Sequence, residues 1–445
     1  MTRLRALWHN ILATYWFYPA LFSLAAVALA LSTVWLDRHG WSDRLARVPW
    51  LVPAQPEGAS NMLTVIAGSM IAVASTVFSI TIAAVAYASG NYGPRLLTNF
   101  MEDRGNQFSL ATFIGTFVYT LIILRTVRME DEPAMFVLPE ADSAFPGFVP
   151  QLSLLTAFVL SGISVAVLVY FLNHVPASIR INSVLHGIGE RLLKMVEHRF
   201  PDCDTGAQAQ RIEGGEPVRA REIGYVQLID YEGLHDAAKK AGGRLLMAVR
   251  TGDFIHPDMV VARWCADRGP GKQKADPPID AIHDSLALGS RRTPAQDVDF
   301  LIDELVEIGL RALSPGINDP FTAITALNWL GAATAEIGRR DLRLKGIDGG
   351  QSTENRVIPH DDDFDYYIAR GFGALRSGVA ANRIAAVSFL DALGYAATTL
   401  ENATRRARMK READLLMEQA ALELRGPELD LVKARHVLVA ERLSG

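Results

Sequence analysis

Cysteine is scarce in this chain: Cys203 and Cys265 are the only two in 445 residues, too few and too isolated for a disulfide framework or a thiolate-built zinc site. That usage suits a reducing compartment for any soluble part. Positive charge is also short. The 44 Lys and Arg stand against 49 Asp and Glu, a formal charge of −5, so the broad cationic face needed to hold nucleic acid has no source, and nucleic acid is set aside as a partner. Catalytic punctuation is missing as well: there is no Walker A loop, no dinucleotide-binding GxGxxG, no GxSxG elbow around Ser314 and no HExxH. The chain therefore reads as non-enzymatic, with no cofactor and no metal. The most telling scarcity is of charge itself, because the chain is 21% charged yet residues 61 to 89 contain no Asp, Glu, Lys or Arg. An uncharged run of that length is a membrane signature.

Four such runs fill the first third. Arg3 and Arg5 precede the first, which raises a cleavable signal as an alternative to an anchor. Tyr15 to Leu36 is longer than a signal core, and at about 1.5 Å per residue it crosses a hydrocarbon layer of about 30 Å. Trp16, Phe17 and Tyr18 at one end and Trp35 at the other supply the interfacial aromatic belts. Spans are expected at 15–36, 62–88, 108–124 and 148–172, within a membrane domain covering 1–176. Pro146 and Pro150 mark the entrance to the fourth, and Pro176 marks its expected stop. An even number of spans puts both termini on one side. Arg3, Arg5, Arg95, Arg104, Arg180, Arg191 and Lys194 lie on that side, against Arg38, Arg44, Arg47, Arg125 and Arg128 opposite. The positive-inside rule then favours cytoplasmic N- and C-termini in a bacterial inner membrane, with the acidic loop Glu130 to Asp142 outside.

Behind the spans, Ile181, Val184, Leu185, Ile188, Leu192, Met195 and Val196 recur at helical spacing, which predicts a connecting helix over 177–202. Residues 203 to 217 read as linker. A small β module is expected over 218–268, with strands at 223–229, 245–249 and 259–264 and a short helix from Tyr231 to Ala241. This order is similar to barrel-sandwich modules of the lipoyl type, but no lysine sits at a hairpin tip to carry a cofactor, so the module reads as structural. A second linker, 269 to 278, leads to an α-helical cytoplasmic domain over 279–445. Within it Val298, Leu301, Ile302, Leu305 and Ile308 form one apolar helix face. Pro315 and Gly316 then end that helix, Asp319 caps the next, and Pro320 takes its first position, where a missing N–H costs nothing. Further helices are expected at 368–375, 379–403, 405–424 and 427–443. The fold class is thus a four-helix membrane domain plus a cytoplasmic α+β region, a β module followed by helices.

The spans, the stretch Ser89-Gly-Asn-Tyr-Gly-Pro-Arg-Leu-Leu97 with Asp103 and Gln107 beyond it, and the run Arg311-Ala-Leu-Ser-Pro-Gly-Ile-Asn-Asp-Pro-Phe-Thr-Ala323 together carry a resemblance. Over nearly its whole length the chain resembles the bacterial membrane family catalogued as domain of unknown function 2254. The resemblance implies the architecture and brings no activity, substrate or catalytic residue.

The second span carries the most informative membrane pattern. Gly68, Ala72, Ser75, Ser79, Ala83, Ala86 and Gly90 follow at steps of three or four and share one helix face. A small, partly hydroxylated stripe serves first of all close packing between helices, and the same stripe lines a pore if several copies place it around an axis. The stripe leads to Tyr92, Pro94 and Arg95 at the expected cytoplasmic mouth, a placement that suits a gate. No ionisable residue lies inside the second or third span, which disfavours a carboxylate-driven pump, and no paired broken helices mark a secondary transporter. His360-Asp-Asp-Asp-Phe-Asp365 lacks the calcium-loop form, with Tyr366 where glycine is required, and reads as a solvated loop or helix start. His174, His186, His198 and His256 read as single interfacial or surface residues. The leading function is a homo-oligomeric, channel-like protein with a pore-lining second span and a cytoplasmic vestibule or regulatory domain. The alternative is a membrane-anchored sensory or scaffold protein, in which Arg311, Asn318 and Asp319 at the helix corner contact a cytoplasmic protein partner while the bilayer serves only as anchor.

Overall fold

The computed structural model describes residues 14–41, 55–93, 103–127, 148–200, 214–267, 275–342, 356–360 and 362–444, with Asn91 and Tyr92 described in backbone only. The chain divides into two compact units, one of membrane-type helices and one that gathers residues 181 onward.

Among the described residues four helices are long and apolar enough to cross a membrane. They are α1 (Phe17–Leu36), α2 (Pro56–Tyr92), α3 (Arg104–Thr126) and α4 (Gln151–Ser178). Helix α1 ends in a widened turn, Asp37–Trp41, where Gly40 supplies the left-handed φ of 89°. Helix α2 runs 37 residues, about 55 Å at ~1.5 Å per residue, so it exceeds a bilayer core unless tilted. It starts earlier than its apolar run because Pro56 is well suited to a first helical position. Helix α4 runs past Pro176 to Ser178: so near the end the ring removes a single backbone bond, to the carbonyl of Leu172, and the last turn survives.

Helix α3 is the centre of this unit. More than half of its most apolar stretch is buried, against a third or less in the other three. At one end Ala30 and Val34 of α1, Leu63 of α2, Tyr119 and Ile123 of α3 and Ala157 of α4 share a core. Toward the other end Met70, Ala74, Val77 and Ala84 of α2 meet Phe113 of α3 and Phe171 and Val175 of α4. Helix α3 packs on α1 at Gly115, where a Cβ would stand in ordinary contact, 3.4 Å, with Phe22.

In the second unit α5 (Ile181–Arg199) buries Leu185, Ile188, Leu192 and Val196 along one face. Among the described residues seven strands follow in two sheets. The first has the order β1 (Glu216–Arg219), β5 (Val260–Ala266), β3 (Gly243–Met247), β7 (Val357–Ile358), antiparallel except for the parallel β3–β7 pair. The second places β2 (Gly224–Ile229) between β4 (Phe254–Ile255) and β6 (Leu286–Gly289). Helices α6 (Tyr231–Ala241) and α7 (Ile279–Asp284) accompany them. Val226, Leu234, Leu245, Val261, Trp264 and Ile282 lie in the core of this module.

The region expected to be wholly helical therefore contributes two strands. β6 and β7 pair with β2 and β3, whose edges would otherwise expose unpaired backbone. β1 likewise begins inside the stretch read as linker. Beyond it come α8 (Val298–Ala312), α9 (Pro320–Gly338), α10 (Phe364–Ile368), a wide turn Ala369–Gly373, α11 (Ala374–Ala380), α12 (Arg383–Ala397), α13 (Ala403–Glu423) and α14 (Pro427–Ser444). The helix expected over 379–403 starts afresh at Arg383, because the Asn382 side chain accepts from the N–H groups of Ile384 and Ala385 and caps a new one.

Candidate functional site

All seven stripe residues of α2 are exposed in the chain. With successive side chains about 100° apart, the stripe points roughly opposite to Leu63, Met70, Ala74, Val77 and Ala88, the face that packs on the chain's own helices. A Cβ added at Gly68 or Gly90 would meet nothing within 4 Å. Large apolar side chains flank the stripe, with Ile71, Phe78 and Tyr87 all substantially exposed. The hydroxyls are not idle: Ser79 Oγ donates to the carbonyl of Ser75 at 2.9 Å, which satisfies it without a second helix. The helix is thus two-faced, with one side used inside the chain and the small-residue side left outward. Of the expected mouth, Tyr92 is described in backbone only, and Pro94 and Arg95 lie outside the described residues.

Two polar clusters tie the ends of the membrane unit. Helix α4 begins after Pro150, which has no side-chain cap to offer. Asp37 supplies it from another helix: Oδ1 accepts from Leu152 N–H at 3.0 Å, and Oδ2 accepts from Ser153 N–H at 3.0 Å and Ser153 Oγ at 2.7 Å. The carboxylate is 4% exposed and sits where the positive end of a helix dipole wants an anion. Beside it Tyr119 Oη donates to the Ser153 carbonyl at 3.1 Å and meets Thr33 Oγ1 at 3.0 Å, and further along Thr116 and Ser164 pair at 3.0 Å. At the opposite end Asp103 caps α3 through Gly105 N–H at 2.8 Å. His174 of α4 reaches the same carboxylate at 2.8 Å, so it is a bridging residue rather than a single interfacial one.

The helix corner between α8 and α9 is built as a turn. Asn318 holds a left-handed φ of 48°, and its side chain is exposed. Asp319 is committed to capping α9, accepting from Thr322 N–H at 3.2 Å and Thr322 Oγ1 at 2.6 Å. Arg311 is half-buried, and its carbonyl accepts from Ser314 Oγ at 2.6 Å. The three therefore share a corner, with Asp319 committed to its cap. What the corner does present is apolar: Leu310, Ile317 and Phe321 are exposed, Phe321 at 69%.

The carboxylates after His360 have structural duties. Asp362 faces Arg250, Asp363 caps α10, and Asp365 lies 3.4 Å from Arg408, while Asp361 falls outside the described residues. Asp362 joins a cluster between the β module and the helices. Tyr366 Oη donates to Asp299 at 2.6 Å and accepts from Arg250 at 2.8 Å, with the Arg250 guanidinium 4.4 Å above its ring. Arg370 and Arg292 both bind Asp303, and Arg292 Nε donates to Asp297 at 2.8 Å. Burial pushes the Asp297 carboxyl up to about 6, against the opposing pull of Arg292. Among the described residues no three His, Cys, Asp or Glu side chains are grouped to hold a metal ion.

Residues 13–395 match the family model described as Predicted membrane protein (DUF2254). The chain belongs to that family. Uncharacterized proteins of Mycobacterium tuberculosis and Mycobacterium bovis are each 30% identical to it over 294 residues, covering 64% of this chain and 54% of theirs. The chain spans about half the length of these curated relatives. No solved structure matches. Membership together with four helices of spanning length makes this a multi-pass protein of the bacterial inner membrane, with a β region and a helical region behind the spans.

Within this DUF2254 chain, two polar features escaped the sequence reading for definable reasons. Asp37 directly follows an apolar run, where a charge reads as the end of a span, and its partners are 115 and 116 residues away. The Arg250–Tyr366 pair is separated by 116 residues and carries no local spacing at all. The one available signal for Asp37 was Pro150, whose α4 start offers no capping side chain of its own.

Proposed function

We propose that this protein is a non-catalytic, homo-oligomeric membrane conduit, in which copies of α2 turn their small-residue faces toward a shared axis. In this reading both termini are cytoplasmic and residues 181 onward form a vestibule or regulatory region. The observation that carries it is the division of α2 into two opposed faces. Own-chain packing uses the side of Leu63, Met70 and Val77, so Gly68, Ala72, Ser75, Ser79, Ala83, Ala86 and Gly90 are left for something outside the chain. Lipid alone gives no reason for that choice, since acyl chains are as well met by Leu and Ile, whereas close helix approach and a wetted wall both call for small or hydroxylated residues.

The test is labelling in a background with Cys203 and Cys265 replaced by Ser. Ser75→Cys and Ser79→Cys are expected to react with a small charged thiol reagent from water, and purified protein in lipid nanodiscs is expected to form a symmetric oligomer. Protected thiols, or a strictly monomeric particle, would sink the conduit.

A second reading, a membrane-anchored scaffold, is favoured by one observation, the exposed Leu310, Ile317 and Phe321 at the corner beside Asn318. It predicts that Asn318→Gly protein, which suits the left-handed φ, or Asp319→Asn protein, which keeps a cap, folds normally yet loses a co-purifying cytoplasmic partner. Binding retained in both variants removes these residues from any such site.

A further inference from the structure

Helices α12 and α14 pack side by side, and the seam between them is apolar on its outward side. Val439 of α14 rests on Gly394 of α12, where an added Cβ would stand 3.3 Å from it, and Val432 and Leu443 are buried with it. With successive side chains about 100° apart, Leu431, Ala434 and Leu438 fall on another face of α14, at steps of three and four. Leu431 is 51% exposed and Leu438 53%. Ile384 and Tyr395 of α12 are exposed as well, and both lie next to α14: Arg383, beside the first, reaches Glu428, and Arg442 lies over the ring of the second. Together these side chains expose on the order of 400 Å², about the apolar share of a standard interface that takes about 800 Å² from each partner.

The charges along the seam narrow what this face fits. Glu428, in the first turn of α14, stands 3.9 Å from Arg383 in a pair exposed on both sides. Arg435, at the middle, donates to Asp391 at 3.0 Å, and Arg442, in the last turn, lies 5.9 Å from the centre of the Tyr395 ring. On its α12 side, α14 therefore carries an acid at its start, a neutralised pair at its middle and a base at its end. Asp430 and Glu441 are exposed on the edge turned away from α12. A parallel second copy would set Glu428 against Glu428 and Arg442 against Arg442, whereas an antiparallel one sets each against the other. The apolar and charged pairs also share a register. Leu431 with Leu438, and Glu428 with Arg442, have a common midpoint at Ala434–Arg435. One two-fold axis there places leucine on leucine and acid beside base, twice each, with the small Ala434 at the crossing.

We propose that the α12–α14 seam is a contact between two copies of this chain, antiparallel about a two-fold axis at Ala434–Arg435. Two copies held in one bilayer meet at raised effective concentration, so a face of this size suffices. Helix α14 lies beyond the residues matched by the family model, which end at 395. The contact does not depend on the conduit, which concerns α2.

The experiment uses the full chain in phospholipid vesicles, with Cys203 and Cys265 replaced by Ser. Leu431→Cys and Leu438→Cys proteins, carrying tags of different size, are mixed in detergent, reconstituted together and oxidised with copper phenanthroline. The mixed disulfide is expected to exceed either same-site product by about fivefold, because same-site thiols would stand about 10 Å apart along the helix axis. Glu428→Arg or Arg442→Glu, placed in both proteins, should each lower the mixed product about fivefold, the scale of two exposed ion pairs lost together, and the double reversal should restore it. All four positions are exposed, so these variants should fold. Same-site products equal to or above the mixed one overturn the antiparallel contact. So does the absence of any product, and so does a mixed product that single charge reversals leave unchanged. Labelling at Ser75 and Ser79 reads a different helix, so either proposal can fail without the other.

Discussion

Replacing Asp37 by alanine removes a side chain that caps α4, and the cost can be worked from its three bonds. The carboxylate accepts from Leu152 N–H, Ser153 N–H and Ser153 Oγ at 2.7 to 3.0 Å in a site 4% exposed. Each hydrogen bond to a charged group contributes about 1.5 to 3 kcal/mol, and the three are not additive because they share one acceptor group. Two backbone donors left unpaired in a buried site add a desolvation penalty of about 1 to 3 kcal/mol each unless water enters. A loss of about 3 to 5 kcal/mol is expected for Asp37→Ala. Asp37→Asn retains one carbonyl oxygen and should lose about 1 to 2 kcal/mol, the usual scale of a helix cap. The assay is detergent or thermal unfolding of the full chain, combined with hydrogen exchange across residues 151–156, where protection should fall first. A variant within about 0.5 kcal/mol of the parent, with exchange at 151–156 unchanged, would show that α4 does not need its borrowed cap.

Three further outcomes follow from the same geometry. Ser79→Trp on the outward face of α2 should leave the monomer fold intact, because the site is exposed; a monomer destabilised by the overpacking scale of about 1 to 3 kcal/mol would refute the two-faced helix. Asp297 has its carboxyl raised by burial from 3.8 to about 6, so its protonated form is favoured by folding: the stability it contributes is full below about pH 4 and is lost as pH rises through about 6. Asp297→Asn, which can still cap Phe300 N–H, should therefore gain on the parent by about 2 to 3 kcal/mol between pH 4 and 7, and pH-dependent melts with parallel profiles would contradict that sign. Gly189→Ala would set a Cβ 2.1 Å from the Trp329 ring, and a lowered melting temperature corresponding to about 1 to 3 kcal/mol is expected, whereas an unchanged one would mean that α5 and α9 can separate freely.

What could be read from the chain in advance depended on whether the physical signal was local. The four spans were legible because a bilayer imposes a length and an apolarity on each helix separately, and the turn at Ser314 to Pro320 was legible because capping and turn chemistry act within a few residues. The stripe on α2 could be placed on one face from spacing alone, but its direction relative to the bundle could not, since the opposite face is hardly less apolar. Ala74 and Ala83 illustrate this: the same residue type lies buried at one and exposed at the other. Strands β6 and β7 were missed because four and two residues respectively carry no periodicity, and they are strands only by virtue of the edges that β2 and β3 offer them. The polar clusters were illegible for a different reason. Asp37, His174 and Arg250 find their partners 71 to 116 residues away, and only folding states which carboxylate a given cation or helix end will meet.

The distribution of polar groups across the membrane unit bears on which helix could face water. Helix α3 holds Asn106, Gln107, Ser109, Thr116 and Thr120 buried, yet Leu110 and Phe113 lie buried among them, about 10 Å separates Ser109 from Thr116 along the axis, and Thr116 and Ser164 satisfy each other. Among the described residues such an interior is joined by interhelical hydroxyl bonds. Helix α2 is the converse, with its small and hydroxylated positions unbroken from Gly68 to Gly90 and outside the packed core. A path through a single chain would need α3 and its neighbours to part, breaking the Tyr119, Ser153 and Asp37 bonds that fix α4. A path between chains needs none of them to move. In the proposed conduit the route that leaves these internal bonds intact runs along α2 between copies, so the labelling of Ser75 and Ser79 and the count of protomers belong on the same preparation.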